Sequence, residues 1–489
     1  MTVFKYNYKR LLASAFALAI ISCSSPWDER EIGSDANLSV TLNQAISATD
    51  EVSEFNELLK KTGYDKILAD SKTYTVFAPT NAAMADVDET ILSDTESLKQ
   101  FVANHIALTS YTSVRTEDVR VKMLSNKYLD FEGSSLIDEA TIVKADMYAS
   151  NGVYHIINKA LTPKLNVWEY INSQKENSKM AEFLVSLTDF SIYASDADAK
   201  LEAVVGDSLS NSYLKNVYNL NNEKNNYTFF LMKDEGYDTE VTKMKPYLIK
   251  PSNDPAIDST AIYASYFTTR DLAFPKKYKR ADLPDQLTSR FGVEFDVNKT
   301  QIVDEIQLSN GVVYVMGQVD VALDKRLLTK RIEGENISGY FNGARTAIYY
   351  RTKIDPLDPD LLLNDVLVQN PGVASFILNY RGREFYSTKY EVYWRAVNDF
   401  QATAISQSLQ LSGDITVVNN SSSFIDIITR FNNISVPVGE ASYKEVLIGT
   451  FELTKARDID YISLIAANST ANGANSLSLD YLRFEPQLK

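Results

Sequence analysis

Apolar residues change their spacing several times along this chain, and each spacing predicts a different element. Residues 73–79, Thr-Tyr-Thr-Val-Phe-Ala-Pro, read as a short strand that stops at Pro79, which cannot donate to a ladder. Thr80 or Asn81 can then accept hydrogen bonds from the free N–H groups of a following helical turn. In residues 97–108, Ser-Leu-Lys-Gln-Phe-Val-Ala-Asn-His-Ile-Ala-Leu, the apolar positions fall at helical spacing. Residues 151–164 open on an Asn-Gly turn and alternate Val153, His155 and Ile157 against Tyr154, Ile156 and Asn158. Apolar residues on both faces predict a strand buried on both sides.

The pattern then recurs, as internal repeats do. Residues 166–187 echo the amphipathic lead-in at 39–61, residues 226–237 stand where 73–84 stood, and residues 310–323 answer 151–164. In the second copy Phe230 to Lys233 replace Ala-Pro-Thr-Asn, and Tyr314 replaces His155. Both replacements keep strand propensity and apolar area, and on the sequence alone they discard the polar detail.

Beyond residue 324 the repeat ends. Residues 389–398, 414–420, 443–453, 459–467 and 477–486 are all strand-like, with Gly, Asn and Pro between them and no long helix. Such short, closely spaced strands predict a β-sandwich. The Asp-rich stretch 353–365 contains two prolines, so it reads as a rigid turn followed by an Asp-capped segment and not as a calcium loop.

At 489 residues, the chain has room for about three domains at a usual 100–200 residues each, and 45% hydrophobic residues can supply a core to each. Its formal charge of −15 speaks against nucleic acid or an anionic lipid surface as partners. Residues 1–22 carry Lys5, Lys9 and Arg10, then an apolar run over 11–21 too short for a comfortable membrane span, which marks a secretory signal peptide. The run stops at Cys23, the only cysteine, so no disulfide can form within the chain. This junction resembles the lipobox of bacterial lipoproteins, with Ile20 where leucine is usual. The resemblance implies a lipidated Cys23 that attaches the protein to a membrane, followed by an acidic tether over residues 23–37. Asp28 and Glu29 in that tether are similar to export signals of surface-displayed outer-membrane lipoproteins.

The first repeat, residues 38–165, resembles a fasciclin domain. The first motif of that family matches Thr75 to Asn81, and a later one matches Asn151 to Ile157. Asn104-His105 stands where the family has Tyr-His, without the tyrosine. The resemblance implies an α+β fold in which Thr75, Pro79, Asn81, His105, Gly152 and His155 are structural, and a second, degenerate fasciclin domain over 166–325. His105 and His155 are the only histidines. A metal or general-base role would need further ligands or partners, so both are read as hydrogen-bonded core residues. A Gly-Asp-Ser-Leu string at 206–209 matches a hydrolase motif, but no histidine follows residue 155 to activate that serine.

Residues 330–489 resemble the galactose-binding-like jelly-roll modules found among carbohydrate-binding domains. The landmarks are Glu333 and Glu335, the run Tyr390-Glu391-Val392-Tyr393-Trp394-Arg395, the run Gly449 to Leu453, and Asp480-Tyr481-Leu482. The resemblance implies sugar contact, with no required cofactor beyond a structural calcium on Glu335 and Asp480. Tyr340, Phe341, Tyr386 and Trp394 are the candidate aromatic faces, although Trp394 shares strand parity with Tyr390 and Val392, which favours a core position. Ser478 stands where the family often has asparagine. The chain therefore reads as two α+β domains and an all-β jelly roll, a non-enzymatic, lipid-anchored adhesion and glycan-binding protein of the outer-membrane surface, accessory to polysaccharide capture. The alternative reading is an envelope protein whose fasciclin domains mediate protein–protein adhesion.

Overall fold

The computed structural model describes residues 39–70, 72–114, 119–132, 135–188, 210–251, 257–413, 415–418, 421–424 and 426–489. The leader, Cys23, the acidic tether and the Gly-Asp-Ser-Leu string lie outside the described residues. The chain divides into two compact units, the first ending at Leu165 and the second starting at Asn166.

In the first unit seven strands form one sheet: β1 (Tyr74–Pro79), β2 (Ile106–Ala107), β3 (Val119–Lys122), β4 (Tyr128–Glu132), β5 (Leu136–Ile137), β6 (Ala140–Ala149) and β7 (Gly152–Ile157). Their order is β2-β1-β7-β6-β5-β4-β3. β1 and β7 run parallel, from Tyr74 opposite Gly152 to Pro79 opposite Ile157, and every residue of both is buried. One face packs Val76, Tyr154 and Ile156 against Leu42, Phe55 and Phe101 of the helices Leu42–Ser47, Ser53–Thr62 and Thr95–Ala103. The other face joins Phe77 and Ile157 to Phe131 and Ile137. This two-sided burial is why both strands are apolar at every parity.

The second unit opens with the same construction. β8 (Tyr227–Met232), β9 (Ala273–Phe274), β12 (Ile302–Leu308) and β13 (Gly311–Met316) form a sheet in the order β12-β13-β8-β9, and β10 (Gln286–Thr288) pairs with β11 (Glu294–Asp296). β8 and β13 are parallel, from Tyr227 opposite Gly311 to Met232 opposite Met316. Each parallel pair is fixed by an Asn-Gly corner. Asn151 Oδ1 accepts from Leu42 N and Asn310 Oδ1 from Val167 N, both at 2.8 Å. A Cβ on Gly152 would lie 2.1 Å from Tyr74 O, and one on Gly311 would lie 2.1 Å from Tyr227 O, so only glycine admits the neighbouring strand.

The strand-rich remainder contains β14 (Lys330–Glu333), β15 (Gly339–Phe341), β16 (Ile348–Asp355), β17 (Asp358–Val368), β18 (Ile377–Phe385), β19 (Lys389–Arg395) and β20 (Ile405–Ser412). It continues with β21 (Ile415–Val418), β22 (Ser421–Phe424), β23 (Ile427–Val436), β24 (Val446–Glu452), β25 (Arg457–Ala466), β26 (Leu477–Leu479) and β27 (Tyr481–Pro486). The sheets β14-β27-β19-β24 and β15-β18-β25-β20-β23 share one core. Tyr390, Val392, Trp394, Leu482 and Phe484 from the first meet Leu378, Tyr380, Leu409, Leu411 and Leu464 from the second, which makes a β-sandwich. Residues 353–365, read from sequence as a turn and a capped segment, belong instead to the β16–β17 hairpin. Asp355 does cap its turn, accepting from Leu357 N at 2.9 Å.

Within this unit the sandwich shares a core with the α/β region that precedes it. Tyr386 and Ala456 are buried among that region's residues. The Tyr386 hydroxyl donates to Arg326 O at 3.1 Å, and its ring meets Phe267 edge to face. Ser387 N donates to Tyr247 O, Ala456 N to Ile249 O, and Arg270 reaches Glu384 with N–O distances of 3.0 and 3.2 Å.

Candidate functional site

The motif residues of the first unit are structural joints. Thr75 Oγ1 donates to Thr109 O and accepts from Tyr111 N, which ties β1 to the segment after β2. Pro79 ends β1, and Thr80 accepts from Ala83 N as the cap of the short helix Asn81–Met84. Asn81 turns the other way, accepting from Glu54 N and donating to Asp50 O, so the corner holds the previous helix as well.

Each histidine is bracketed by backbone groups at both nitrogens. His105 Nε2 accepts from Leu161 N, so its Nδ1–H donates to Phe101 O. His155 has the opposite tautomer: Nδ1 accepts from Asp146 N and Nε2–H donates to Tyr111 O. Burial disfavours the imidazolium in both, and the His105 value is pushed down to about 4. Neither ring has a nitrogen left for a metal or a substrate proton. Among the described residues no group of three His, Cys, Asp or Glu is placed to hold a metal ion.

In the sandwich the candidates separate into a buried and an exposed set. Tyr386 and Trp394, candidate aromatic faces, and Ser478, at the position where the resemblance implies a ligand contact, are all buried. Tyr386 is committed to Arg326, Trp394 is core, and Ser478 Oγ bonds Val397 O at 2.6 Å while its backbone pairs with the Gln407 amide. Side chains sealed in this way offer a sugar ring no face.

The calcium pair does not form a suitable donor set. Asp480 Oδ2 takes Arg395 Nη1 at 3.2 Å, and the same guanidinium is held bidentately by Asp355 and through Nε by Tyr443 O. Burial dominates over that attraction and pushes the Asp480 carboxyl up to about 7. A calcium ion wants several anionic or carbonyl oxygens, and here the aspartate faces a fixed cation. Glu335 Oε2 is a buried atom without a hydrogen-bond partner.

The exposed set lies on residues 339–350. Tyr340, at 36% exposure, stacks almost parallel on the buried Phe376, at an interplanar angle of 8°. Phe341 is 48% exposed, and Tyr349 and Tyr350, which the sequence reading passed over, are 49% and 47% exposed. The backbone between them is pressed onto Phe376, since a Cβ on Gly343 would lie 2.4 Å from that ring. Asn342 Nδ2 donates to Ser375 O, and the Arg345 guanidinium sits 5.9 Å from the Tyr350 ring. The run thus carries four exposed aromatic rings, with Tyr349 and Tyr350 on opposite faces of β16, together with a carboxamide and a guanidinium, on a backbone tied to the sandwich core.

Comparison with known proteins matches part of the first unit to a family model. The family model of the fasciclin domain matches residues 50–163. These residues are a fasciclin domain. Protein sll1483 of Synechocystis sp. is 26% identical over 135 residues, covering 26% of this chain and 75% of that protein. Among solved structures, the chain is similar to a FAS1 domain pair from the insect cell adhesion molecule Fasciclin I. The two share 18% identity with a TM-score of 0.23, covering 56% of this chain and 98% of the other. It is also similar to the C-terminal CBM6 of LamC, a marine laminarinase from Zobellia galactanivorans. There the identity is 14% and the TM-score 0.20, with 32% of this chain and 99% of the other covered. Within the fasciclin domain, Thr75, Asn81, Asn151 and Gly152 are the joints described above.

Proposed function

We infer that this is a non-enzymatic surface protein that binds glycan through its C-terminal sandwich and adheres through fasciclin domains. The observation that carries the reading is the aromatic run at residues 339–350. Exposed rings offer stacking area to the C–H faces of a sugar, while Asn342 and Arg345 supply polar groups for its hydroxyls. Residues 166–325 are a second fasciclin domain in this reading, supported by the matching parallel pairs and Asn-Gly corners. Residues 330–489 are a jelly roll, and Cys23 is the lipidated anchor that displays the protein at the outer membrane.

The test is calorimetric titration of the full chain against plant, host and microbial polysaccharides, with calcium and with chelator. The sandwich shares its core with the preceding region, so the intact protein is the right sample. Saturable binding to one glycan, weakened about tenfold or more by Phe341→Ala or Tyr349→Ala with an unchanged circular dichroism spectrum, supports the reading. Absence of binding across the panel moves the weight to protein-mediated adhesion.

A further inference from the structure

The β16–β17 hairpin carries an open sheet edge. Among the described residues β16 pairs only with β17 and is the outer strand of the sheet β16-β17-β26. The register decides which backbone groups point outward. Gln369 N donates to Ala347 O across a directly opposed pair. In an antiparallel ladder, hydrogen-bonded pairs then recur at every second position: Tyr349 with Leu367, Arg351 with Asp365, and Lys353 with Leu363. The N–H and C=O groups of Tyr350, Thr352 and Ile354 therefore face away from β17. Among the described residues no strand pairs with β16 on that side.

Natural edge strands are usually blunted by proline, a bulge or an unneutralised charge. From Ile348 to Ile354 this one has none of them. Its register shift comes only after Ile354, at the turn. Its two cations, Arg351 and Lys353, lie on the opposite face and are neutralised by Asp365 and Asp399. The face shared by Tyr350, Thr352 and Ile354 is exposed and carries no charge: Ile354 is 64% exposed, Leu362, directly across from it on β17, is 67% exposed, and Thr352 Oγ1 donates to the opposing Asn364 Oδ1 at 2.7 Å.

The geometry points to a second copy of this chain adding its own β16 to this edge, antiparallel about a twofold axis at Thr352. The strand is self-complementary in that register. Thr352 of one copy faces Thr352 of the other, and Tyr350 faces Ile354 on either side of the axis. Each of these pairs exchanges both backbone hydrogen bonds, because all three residues point outward. Threonine pairs and aromatic–β-branched pairs are favourable cross-strand partners. The exposed Asp358 and Asp360 beside the patch repel anionic headgroups, which favours a protein strand over a bilayer as the occupant. The formal charge of −15 on each copy opposes the approach, so salt strengthens the pairing.

The test is sedimentation of the full chain over a dilution series at low and high salt, in detergent so that the apolar leader does not itself associate. Thr352→Pro removes an outward N–H that the hairpin ladder does not use, and Thr352→Lys sets like charges opposite each other across the axis. The expected result is a salt-strengthened dimer whose association each variant weakens about tenfold or more. Thr352→Cys, mildly oxidised, should yield a disulfide-linked dimer whose proteolytic peptide joins position 352 to position 352. A monomer at every concentration, a dimer indifferent to both variants, or a cysteine variant without that peptide overturns the proposal. Thr352 lies outside residues 339–350, and the glycan test uses Phe341 and Tyr349 but not Tyr350, so either proposal can fail without the other.

Discussion

The hydroxyl of Tyr314 donates to Tyr278 O at 2.9 Å, and Phe230 stacks on its ring at 5.9 Å between centroids. In the first unit His155 Nε2 donates to Tyr111 O at 2.8 Å, with Phe77 stacked on the imidazole at 5.3 Å. Thr75 and Thr228 match in the same way, each hydroxyl donating to a carbonyl two residues before the N–H it accepts. The tyrosine at position 314 thus keeps the polar joint that the sequence reading took to be discarded.

Removing that hydroxyl should loosen the second unit. Tyr314→Phe leaves Tyr278 O without its donor and is expected to cost about 1 kcal/mol in denaturant unfolding. Tyr314→His, which restores a ring N–H donor, should lose less than Tyr314→Ala, whose cavity alone costs about 3 kcal/mol or more.

The two histidines set an acid limit on the first unit. Both rings are held neutral when folded, with values depressed by burial below the ordinary 6.5. The unfolded chain therefore binds more protons between pH 6.5 and the folded values. Stability is complete above pH 6.5 and falls as pH drops toward 4, by roughly 3 kcal/mol for His105 alone. Chemical denaturation at stepwise pH measures the slope. Imidazole NMR signals, of which the chain has only two sets, should show no titration at pH 6.5 in the folded protein.

Tyr386 joins two regions of the second unit, and its truncation should destabilise both. Tyr386→Ala opens a cavity between Phe267 and the sandwich and is expected to cost about 3–5 kcal/mol. Trp168 reports the α/β region and Trp394 the sandwich. In variants retaining one of these tryptophans and not Trp27, the two fluorescence midpoints should fall together. A fall confined to Trp394 would mean that the regions unfold independently.

Arg395 holds two buried carboxylates at once, Asp355 from the hairpin turn and Asp480 from the end of the sandwich. Arg395→Met strands the Asp355 carboxylate, while Asp480, already pushed up to about 7, takes a proton, and a loss of about 3 kcal/mol is expected at neutral pH. Acidification protonates the stranded carboxyl, so the deficit relative to the parent chain should shrink at pH 5. Parallel denaturation curves at the two pH values check this.

What the sequence made legible depended on how local each signal was. Pro79, the Asn151-Gly152 corner and the alternation in β7 act over a few residues, and they were read correctly from the pattern alone. For Trp394, parity with Tyr390 and Val392 favoured the core while its chemistry made it a candidate for sugar contact, and the structure puts it in the core. Tyr386 was not, because it sits between β18 and β19 and is buried by Arg326 and Phe267, residues remote in sequence. Arg395 was visible as a landmark, but its partners lie 40 and 85 positions away. The same distance problem turned Asp480 into a calcium candidate when its nearest fixed charge is a guanidinium. Tyr349 and Tyr350 were missed because adjacent strand residues point to opposite faces, so one of an aromatic doublet is expected in the core, whereas both are exposed here.

The shared core around Tyr386 also has a mechanical side. Ser387 and Ala456 hydrogen-bond directly to the backbone on either side of Leu248, and Arg270 reaches across to Glu384. A pull on a sugar bound at residues 339–350 would meet no slack linker before it reached the α/β region. It would act on the contacts at Tyr247, Ile249, Arg326 and Glu384 together, so residues 339–350 would hold a fixed orientation to that region under tension.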